Sequence, residues 1–500
     1  MSAFLLALQS LASPSVIVMC LLGVLLGIVL GAIPGLSGSL AIIIMMPITF
    51  KMDASVAIAV MVSIWVGSCS GGFISAVLLG IPGTPSSLAT CYDGHAMTMK
   101  GEVTRALSIG TVSNFLGTVP SLIIAMIACP FISKFAVKMS AWEYFSLGLM
   151  AISMIVGMTK GNKFKGFLSA GIGLLLTQFG YSPMSATPRF MFGTRALSSG
   201  FNMLSVCIGC MAGAMIFQNY ATIDEGNIFE FKGEIKPFYL PLKDFASNIW
   251  NVVRSFVFGV FIGFLPGLGS GLSNMVAYAS AKNSSKKPEE FGKGCPDGII
   301  APEVANNASI GGALIPMLSL GIPGDTVTAL LLGALAIHGI EAGPLLQKNE
   351  PSLVYAIYIV AIIAAIITLV VESLSIRVFP HILKAPCHYL YPAILLLCFI
   401  GVYANTRSMF AVGCALGFSV LGVLLDYAGI PVTPMFLSYI LGGMLEENLR
   451  KALSYAQGNW FSFFTRPVSC ILMILTICLV VVPMIKDLIA GKRQDAEEEK

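Results

Sequence analysis

The sequence predicts an all-α polytopic membrane protein of about twelve membrane segments, since each crossing of a ~30 Å hydrocarbon layer takes about 20 apolar residues. Three observations predict it. Of 500 residues, 56% are hydrophobic and 11% charged, where a soluble domain has about 25% charge. Long stretches carry no charge. Two Gly/Pro motifs recur in order along the chain. The composition excludes soluble enzymes, disordered chains and disulfide scaffolds.

The uncharged stretches set the elements. Residues 1–50 contain no Asp, Glu, Lys or Arg, and further stretches cover 54–92, 106–133, 166–188, 196–223, 255–281, 304–324, 351–371, 408–425 and 467–485. They are continuous rather than alternating with period two, which argues against a β-barrel. No basic region precedes the first apolar run, so residues 1–50 are expected to be retained rather than cleaved as a signal. Basic residues at 160–165 and 282–293, and in the tail, are expected on the cytoplasmic side. The net charge of +4 does not call for a nucleic-acid partner. Cys207 and Cys210 form a CxxC inside an apolar run with no His nearby, so no metal or redox role is expected.

The duplication is the most informative feature. Gly27-Ile-Val-Leu-Gly-Ala-Ile-Pro-Gly-Leu-Ser-Gly38 matches Gly259-Val-Phe-Ile-Gly-Phe-Leu-Pro-Gly-Leu-Gly-Ser270, placing Pro34 against Pro266 at an offset of 232. A second pair, ending in Leu-Gly-Ile-Pro-Gly at Gly83 and Gly324, places Pro82 against Pro323 at an offset of 241. The nine added residues fit a polar insert around 283–294. The expected organisation is a first half over 1–217 with broken-helix motifs at 31–40 and 80–87, a polar connector over 218–250, a second half over 251–465 with motifs at 264–274 and 321–328, and a last helix and charged tail over 466–500.

Proline breaks the helical hydrogen-bond ladder and glycine admits close approach. Backbone freed this way at membrane depth must be buried in protein or line a wet cavity. Matched breaks in two halves are the pattern of secondary-transporter binding sites, where half-helix N-termini face anions and freed carbonyls face cations. The plainer reading is that these residues only allow kinks and tight packing.

At these residues the chain resembles the tripartite tricarboxylate transporter large membrane subunit, the TctA family. The resemblance lies in 31–39, in 79–96 (LGIPGTPSSLATCYDGHA), in 189–193 (RFMFG), in 264–270, and in 300–344 (IAPEVANNASIGGALIPMLSLGIPGDTVTALLLGALAIHGIEAGP). It implies a bacterial inner-membrane importer of citrate-like di- or tricarboxylates or another organic acid, driven by a Na⁺ or H⁺ gradient. It also implies two protein partners: a small four-helix membrane subunit and a periplasmic solute-binding protein. No phosphate loop occurs, which agrees with transport that does not use ATP. Asp325 departs from the family pattern, which has a small neutral residue after this IPG.

The substrate-binding candidates are Gly35, Ser37, Gly38, Ser39, Gly83, Thr84, Ser86 and Ser87 in the first half, and Gly267, Gly269, Ser270, Asn274, Gly324 and Thr326 in the second. Hydroxyls and backbone amides of this kind can bind carboxylate oxygens or ligate Na⁺. Asp325, Thr328, Asn306, Asn307 and Glu303 are the cation-coupling candidates, because an acid or amide inside an apolar segment is expensive and usually functional; Asp325 as a helix N-cap is the plainer alternative. Asp93 and His95 read as residues of a loop. Glu372 and Arg377 read as paired or interface-anchoring residues at a span end. Arg189 is a candidate to guide an anion or dock the delivery protein. No catalytic cluster, resident metal or cofactor is expected, and the chain is expected not to be an enzyme. A stand-alone organic-anion permease or exporter, and an ion channel, are the alternative functions.

Overall fold

The computed structural model describes residues 2–11, 13–34, 36–157, 163–182, 185, 187–221, 234–382 and 387–480. The described residues are mostly helical; the strands among them are Gly180–Tyr181 and Pro188–Arg189, paired antiparallel. Among the described residues six helices are long and apolar enough to cross a membrane, and six shorter apolar helices of 10–17 residues accompany them. Lys160, the middle of the expected polar connector (222–233) and the tail from 481 lie outside the described residues. The rest of that connector is partly helical, at Leu242–Ser247 and from Ile249 onward.

The chain folds as two compact units, each built from a piece of either half. The first comprises Met1–Lys134 and Met215–Arg407, the second Phe135–Ala214 and Ser408–Lys500. The helices of the first unit include α1 (Pro14–Ala32), α2 (Gly38–Thr49), α3 (Ala54–Leu79), α4 (Thr90–Met99), α5 (Val103–Ala136), α6 (Ile249–Phe264), α7 (Gly269–Ser284), α8 (Asp297–Leu320), α9 (Thr326–Ile337) and α10 (Pro351–Ser375).

The helix breaks fall where the Pro-Gly motifs predict them. α1 stops at Ala32 and α2 starts at Gly38; α6 stops at Phe264 and α7 starts at Gly269. α3 and α8 each end on a left-handed glycine, Gly80 (φ 69°) and Gly321 (φ 72°). Only glycine adopts this region without Cβ strain, and it is the usual residue just past a helix end. α3 is largely apolar around its circumference, as a core helix or a membrane span is, and its whole apolar window is buried inside the protein.

Two helix pairs form the centre of the first unit. On α1, a Cβ at Gly27 or Gly31 would lie 2.4 and 2.5 Å from the carbonyl oxygens of Ile64 and Ser68 on α3. On α6, a Cβ at Gly259 or Gly263 would lie 2.4 Å from the carbonyls of Ala305 and Ser309 on α8. The reverse contacts also correspond, Gly71 against the carbonyl of Ile28 and Gly312 against that of Val260. Glycines four apart let two helix backbones touch, the packing mode that works in lipid where burial of apolar surface gives no drive.

In the second unit, helices Ala141–Gly157 and Lys163–Leu176 pack on Val432–Tyr455. Arg189 donates to Glu446 and to Gln178, both at 2.6 Å, and Arg450 also pairs with Glu446 at 2.8 Å. The charge of Arg189 is thus balanced within its own unit.

Candidate functional site

The four Pro-Gly breaks come together in the first unit. The Gly267 N–H donates to the Gly324 carbonyl at 2.7 Å, joining the two breaks of the second half. A Cβ at Gly269 would stand 3.2 Å from that of Asp325. In the first half the Gly83 N–H donates to the Gly72 carbonyl at 3.2 Å, and a Cβ at Gly83 would meet the Gly31 carbonyl at 2.3 Å. The halves then meet: Gly271 faces the Pro85 carbonyl, with 3.5 Å from a built Cβ, and α2 packs on α9. Gly35 lies outside the described residues.

Each break ends in the start of a helix. Ser37 caps α2 by accepting from the Leu40 N–H at 3.3 Å. Gly38 packs directly against Ser68, and Ser37 and Ser39 are half-buried. Thr84 caps a short 3₁₀ turn (Pro85–Ser87) through a reciprocal box with Ser87. Its hydroxyl also meets that of Ser86 at 2.9 Å, and the Ser87 hydroxyl donates to the Gly72 carbonyl at 2.9 Å. Gly269 opens α7 with φ 64°, and the Ser270 carbonyl accepts from the Ser273 hydroxyl. Asp325 caps α9: its carboxylate accepts from the Thr328 N–H at 2.8 Å and the Thr328 hydroxyl at 2.7 Å. Thr326 is half-buried beside it. The N-cap alternative for Asp325 is therefore realised in the fold. Unpaired N–H groups at a helix start, backed by the helix dipole, favour a carboxylate.

A buried polar seam runs inward from these loops. Asn274 on α7 accepts from the Ala89 N–H at 2.9 Å, just beyond Ser87, and its amide reaches the Thr90 hydroxyl at 3.5 Å. Thr90 in turn donates to the Glu303 carboxylate on α8. Asn306 donates to the Cys69 carbonyl at 3.3 Å. Asn307 donates to Asn114 on α5 at 2.7 Å, and its carbonyl oxygen lies 3.2 Å from the hydroxyls of Ser70 and Thr118. Glu303, Asn306 and Asn307 are all fully buried, and one oxygen each of Glu303 and Asn306 has no hydrogen-bond partner.

The sequence reading missed Ser70, Thr90, Asn114 and Thr118. A signal existed for two of them: Asn114 and Thr118 lie four apart on one face of a long, mostly apolar helix, and polar groups in such helices turn inward.

Two expectations are corrected. Asp93 stands in the first turn of α4 rather than in a loop, fully buried. Its carboxylate accepts from the N–H groups of Gly292, Gly294 and Cys295 (2.7–3.0 Å) and from the Tyr278 hydroxyl at 2.9 Å. The nearby helix N-terminus favours this acid, which fastens the polar insert of the second half. Glu372 is not a paired residue at a span end. It is fully buried, and among the described residues no basic side chain pairs with it; the Thr111 hydroxyl approaches its carboxyl.

All buried charges among the described residues are acidic: Asp93, Glu143, Glu303 and Glu372. The interior of the first unit thus offers an anion backbone N–H groups and hydroxyls, and offers a cation carboxylates, amides and carbonyls.

The profile described as "Tripartite tricarboxylate transporter TctA family" matches residues 17–437. A protein of Agrobacterium vitis, "Uncharacterized 52.8 kDa protein in TAR-I ttuC' 3'region", is 32% identical over 481 residues, covering 96% of this chain and 95% of its own length. A second from that organism, "Uncharacterized protein in TAR-II ttuC' 3'region", is 33% identical over 236 residues, 47% of this chain and 98% of its own length. No solved structure matches the chain. With helices of membrane-crossing length and a match over most of its sequence, the chain belongs to the tripartite tricarboxylate transporter TctA family.

Proposed function

We propose that this chain is the translocating membrane subunit of a binding-protein-dependent secondary transporter that imports a di- or tricarboxylate. The observation that carries this is the convergence of four Pro-Gly breaks, each at a helix start, around one polar seam. Carboxylate oxygens would be met by backbone N–H groups at the starts of α2, α7 and α9 and by the hydroxyls of Ser86 and Ser270. This holds an anion without burying an unpaired Arg or Lys, whose desolvation would be costly.

The acidic interior favours coupling to a cation. A polycarboxylate brought close to the buried Glu303 carboxylate would meet repulsion unless a positive charge entered with it, so a Na⁺ or H⁺ gradient would drive uptake. Asp325, Glu303, Asn306, Asn307 and Thr328 are the candidates for that step. Two repeats of inverted topology would provide alternating access, one bundle moving against the other. Support comes from contacts that correspond across the halves at the same offsets of 232 and 241, such as Gly31 with Ser68 and Gly263 with Ser309. A periplasmic binding protein would deliver the substrate and a small four-helix subunit would complete the complex in the bacterial inner membrane.

The test is uptake of labelled citrate, tartrate and succinate into proteoliposomes holding the complete set of subunits. Saturable accumulation of one of them, dependent on the binding protein and on a Na⁺ or H⁺ gradient, is the expected result. Downhill flux that needs neither would contradict the reading.

A further inference from the structure

The seam holds two acceptor atoms whose hydrogen bonding does not close. Oε2 of Glu303 and Oδ1 of Asn306 have no partner, in two side chains of α8 that are fully buried. The Asn306 amide is fixed in orientation: its N–H donates to the Cys69 carbonyl at 3.3 Å, and a flipped amide would set oxygen against oxygen. The two residues stand three apart, which puts them on one helix face, and the Asn306 side chain approaches the Glu303 carboxyl. Buried hydroxyls without a partner occur elsewhere in the chain, but a hydroxyl carries its own hydrogen and can turn to a carbonyl of its helix. A carboxylate or amide oxygen only accepts, so a donor must come to it.

The bonds that do reach Glu303 run in one direction. The Thr90 hydroxyl of α4 donates to Oε1. The Thr90 oxygen lies 3.5 Å from the Asn274 amide N–H of α7, and the Asn274 oxygen accepts from the Ala89 N–H at 2.9 Å. No Lys, Arg or His among the described residues pairs with Glu303. The titratable groups that face it are Cys69 of α3, Cys91 of α4 and Glu372 of α10, with Asp325 of α9 beside Cys69. On α6, Arg254 turns to Asn251 near the start of α8; on α7, Tyr278 is bound to Asp93; and α5 meets α8 with Asn114 and Thr118. The turn Pro85–Ser87 has no titratable side chain, and Lys348 of the helix Pro344–Asn349 is exposed. Nothing cationic in the fold neutralises this carboxyl, and an unpaired buried charge is costly.

We propose that Glu303 binds the coupling proton, held on Oε2 with Oδ1 of Asn306 as its acceptor. One proton closes both open atoms. A metal cation asks for more: hard cations gather about six oxygens or more, and here Thr90 presents its hydrogen to the carboxyl instead of a lone pair. Protonation also removes the negative charge that would repel an incoming polycarboxylate. The Thr90–Asn274–Ala89 chain joins the carboxyl to the loop that carries Ser86 and Ser87, so Thr90 and Asn274 are positioning residues between the proton and the candidate anion loop. This coupling rests on the transport reading above, but protonation of Glu303 itself requires neither substrate nor partner.

The experiment is infrared difference spectroscopy of the purified full chain in detergent, following the C=O stretch of neutral carboxylic acid as pH is lowered. The parent chain gains a band that Glu303→Gln lacks, and added sodium leaves that band in place. Thr90→Val removes a hydrogen bond to the ionised form, so the midpoint of the band moves up by about one pH unit, or tenfold in proton affinity. Thr90→Ser restores it. A Glu303→Gln spectrum equal to the parent's overturns the site, and so does loss of the band on adding sodium at constant pH. Should Glu303→Gln fail to fold, an unmoved midpoint in Thr90→Val overturns the site, and a midpoint that moves and is restored by Thr90→Ser sustains it. Carboxylate uptake is measured separately, in proteoliposomes holding the complete set of subunits. Parent uptake follows a pH gradient, and Glu303→Gln exchanges substrate without accumulating it. Uptake driven by sodium alone, in a chain whose Glu303 binds a proton, contradicts the coupling and leaves the proton site standing.

Discussion

Thr84 and Asp325 occupy corresponding places in two loops, 241 residues apart, and perform the same local task. Each caps a helix start through a reciprocal box with the residue three positions on, Ser87 for Thr84 and Thr328 for Asp325. The second half thus uses a charged cap where the first uses a neutral one. Asp325→Ala is expected to lower stability by about 1 kcal/mol, the usual cost of losing an N-cap. Asp325→Asn and Asp325→Thr keep a capping oxygen and should melt near the parent chain. Asp325→Asn is also expected to change the sodium or pH dependence of uptake; an identical profile would leave Asp325 as a cap alone.

The α1–α3 and α6–α8 contacts predict a severe response to single methyl groups. Gly31→Ala and Gly263→Ala each place a Cβ about 2.5 Å or less from a backbone carbonyl, of Ser68 and Ser309 respectively. Backbone cannot step aside as a flexible side chain can, so each change should cost roughly 1–3 kcal/mol, the range for overpacking. Gly413→Ala meets nothing within 4 Å and should be silent. Thermal unfolding of the purified variants checks the contrast.

Asp93→Asn keeps size and removes charge. The amide offers one acceptor oxygen to donors that now converge on two, and presents N–H groups to other N–H groups. Loss of hydrogen bonds to a buried charge predicts a destabilisation of roughly 1.5–3 kcal/mol. The insert at 285–296 should also become more sensitive to protease, since Asp93 holds Gly292, Gly294 and Cys295. Unchanged melting and unchanged cleavage would refute the anchoring role.

Asn307→Leu removes the amide that joins α8 to Asn114, Ser70 and Thr118. The groups left buried and unpaired predict a loss of roughly 1–3 kcal/mol. Asn307→Leu combined with Asn114→Leu removes both sides of the strongest link, so the pair should cost less than the sum of the single changes. Strict additivity, read from melting of the three variants, would show that the seam is not a connected network.

Much of this arrangement was legible in the sequence because it is local. A Pro-Gly pair breaks its own helix, and Gly27/Gly31 and Gly259/Gly263 announce close packing by their four-residue rhythm. The offsets of 232 and 241 set Gly31 against Gly263 and Ser68 against Ser309, and the two pairs make like contacts. What could not be read were meetings between distant segments. Nothing near Asp93 marks Gly292 and Cys295, about 200 residues away, as its partners. Asn114 looks like any amide until Asn307 stands opposite it. Glu372 was misread for the same reason: an acid close to the end of an apolar run looks like a paired residue or an interface anchor, and only packing shows it fully buried with no Lys or Arg among the described residues paired to it.

The central claim is that the converging Pro-Gly loops form the carboxylate path. Gly83 and Gly324 test it most directly, because a Cβ at these positions would crowd the Gly31 and Gly263 carbonyls (2.3 and 2.9 Å) inside the cluster itself. The measurement is uptake of the labelled carboxylate by the complete reconstituted transporter carrying Gly83→Ala, Gly324→Ala or the control Gly413→Ala, with folding checked by melting. Folded Gly83→Ala and Gly324→Ala transporters should lose uptake at least about tenfold, since a misplacement of ~1 Å at a binding geometry costs on the order of 10²-fold, while Gly413→Ala transports normally. Normal uptake by folded Gly83→Ala and Gly324→Ala would contradict the account.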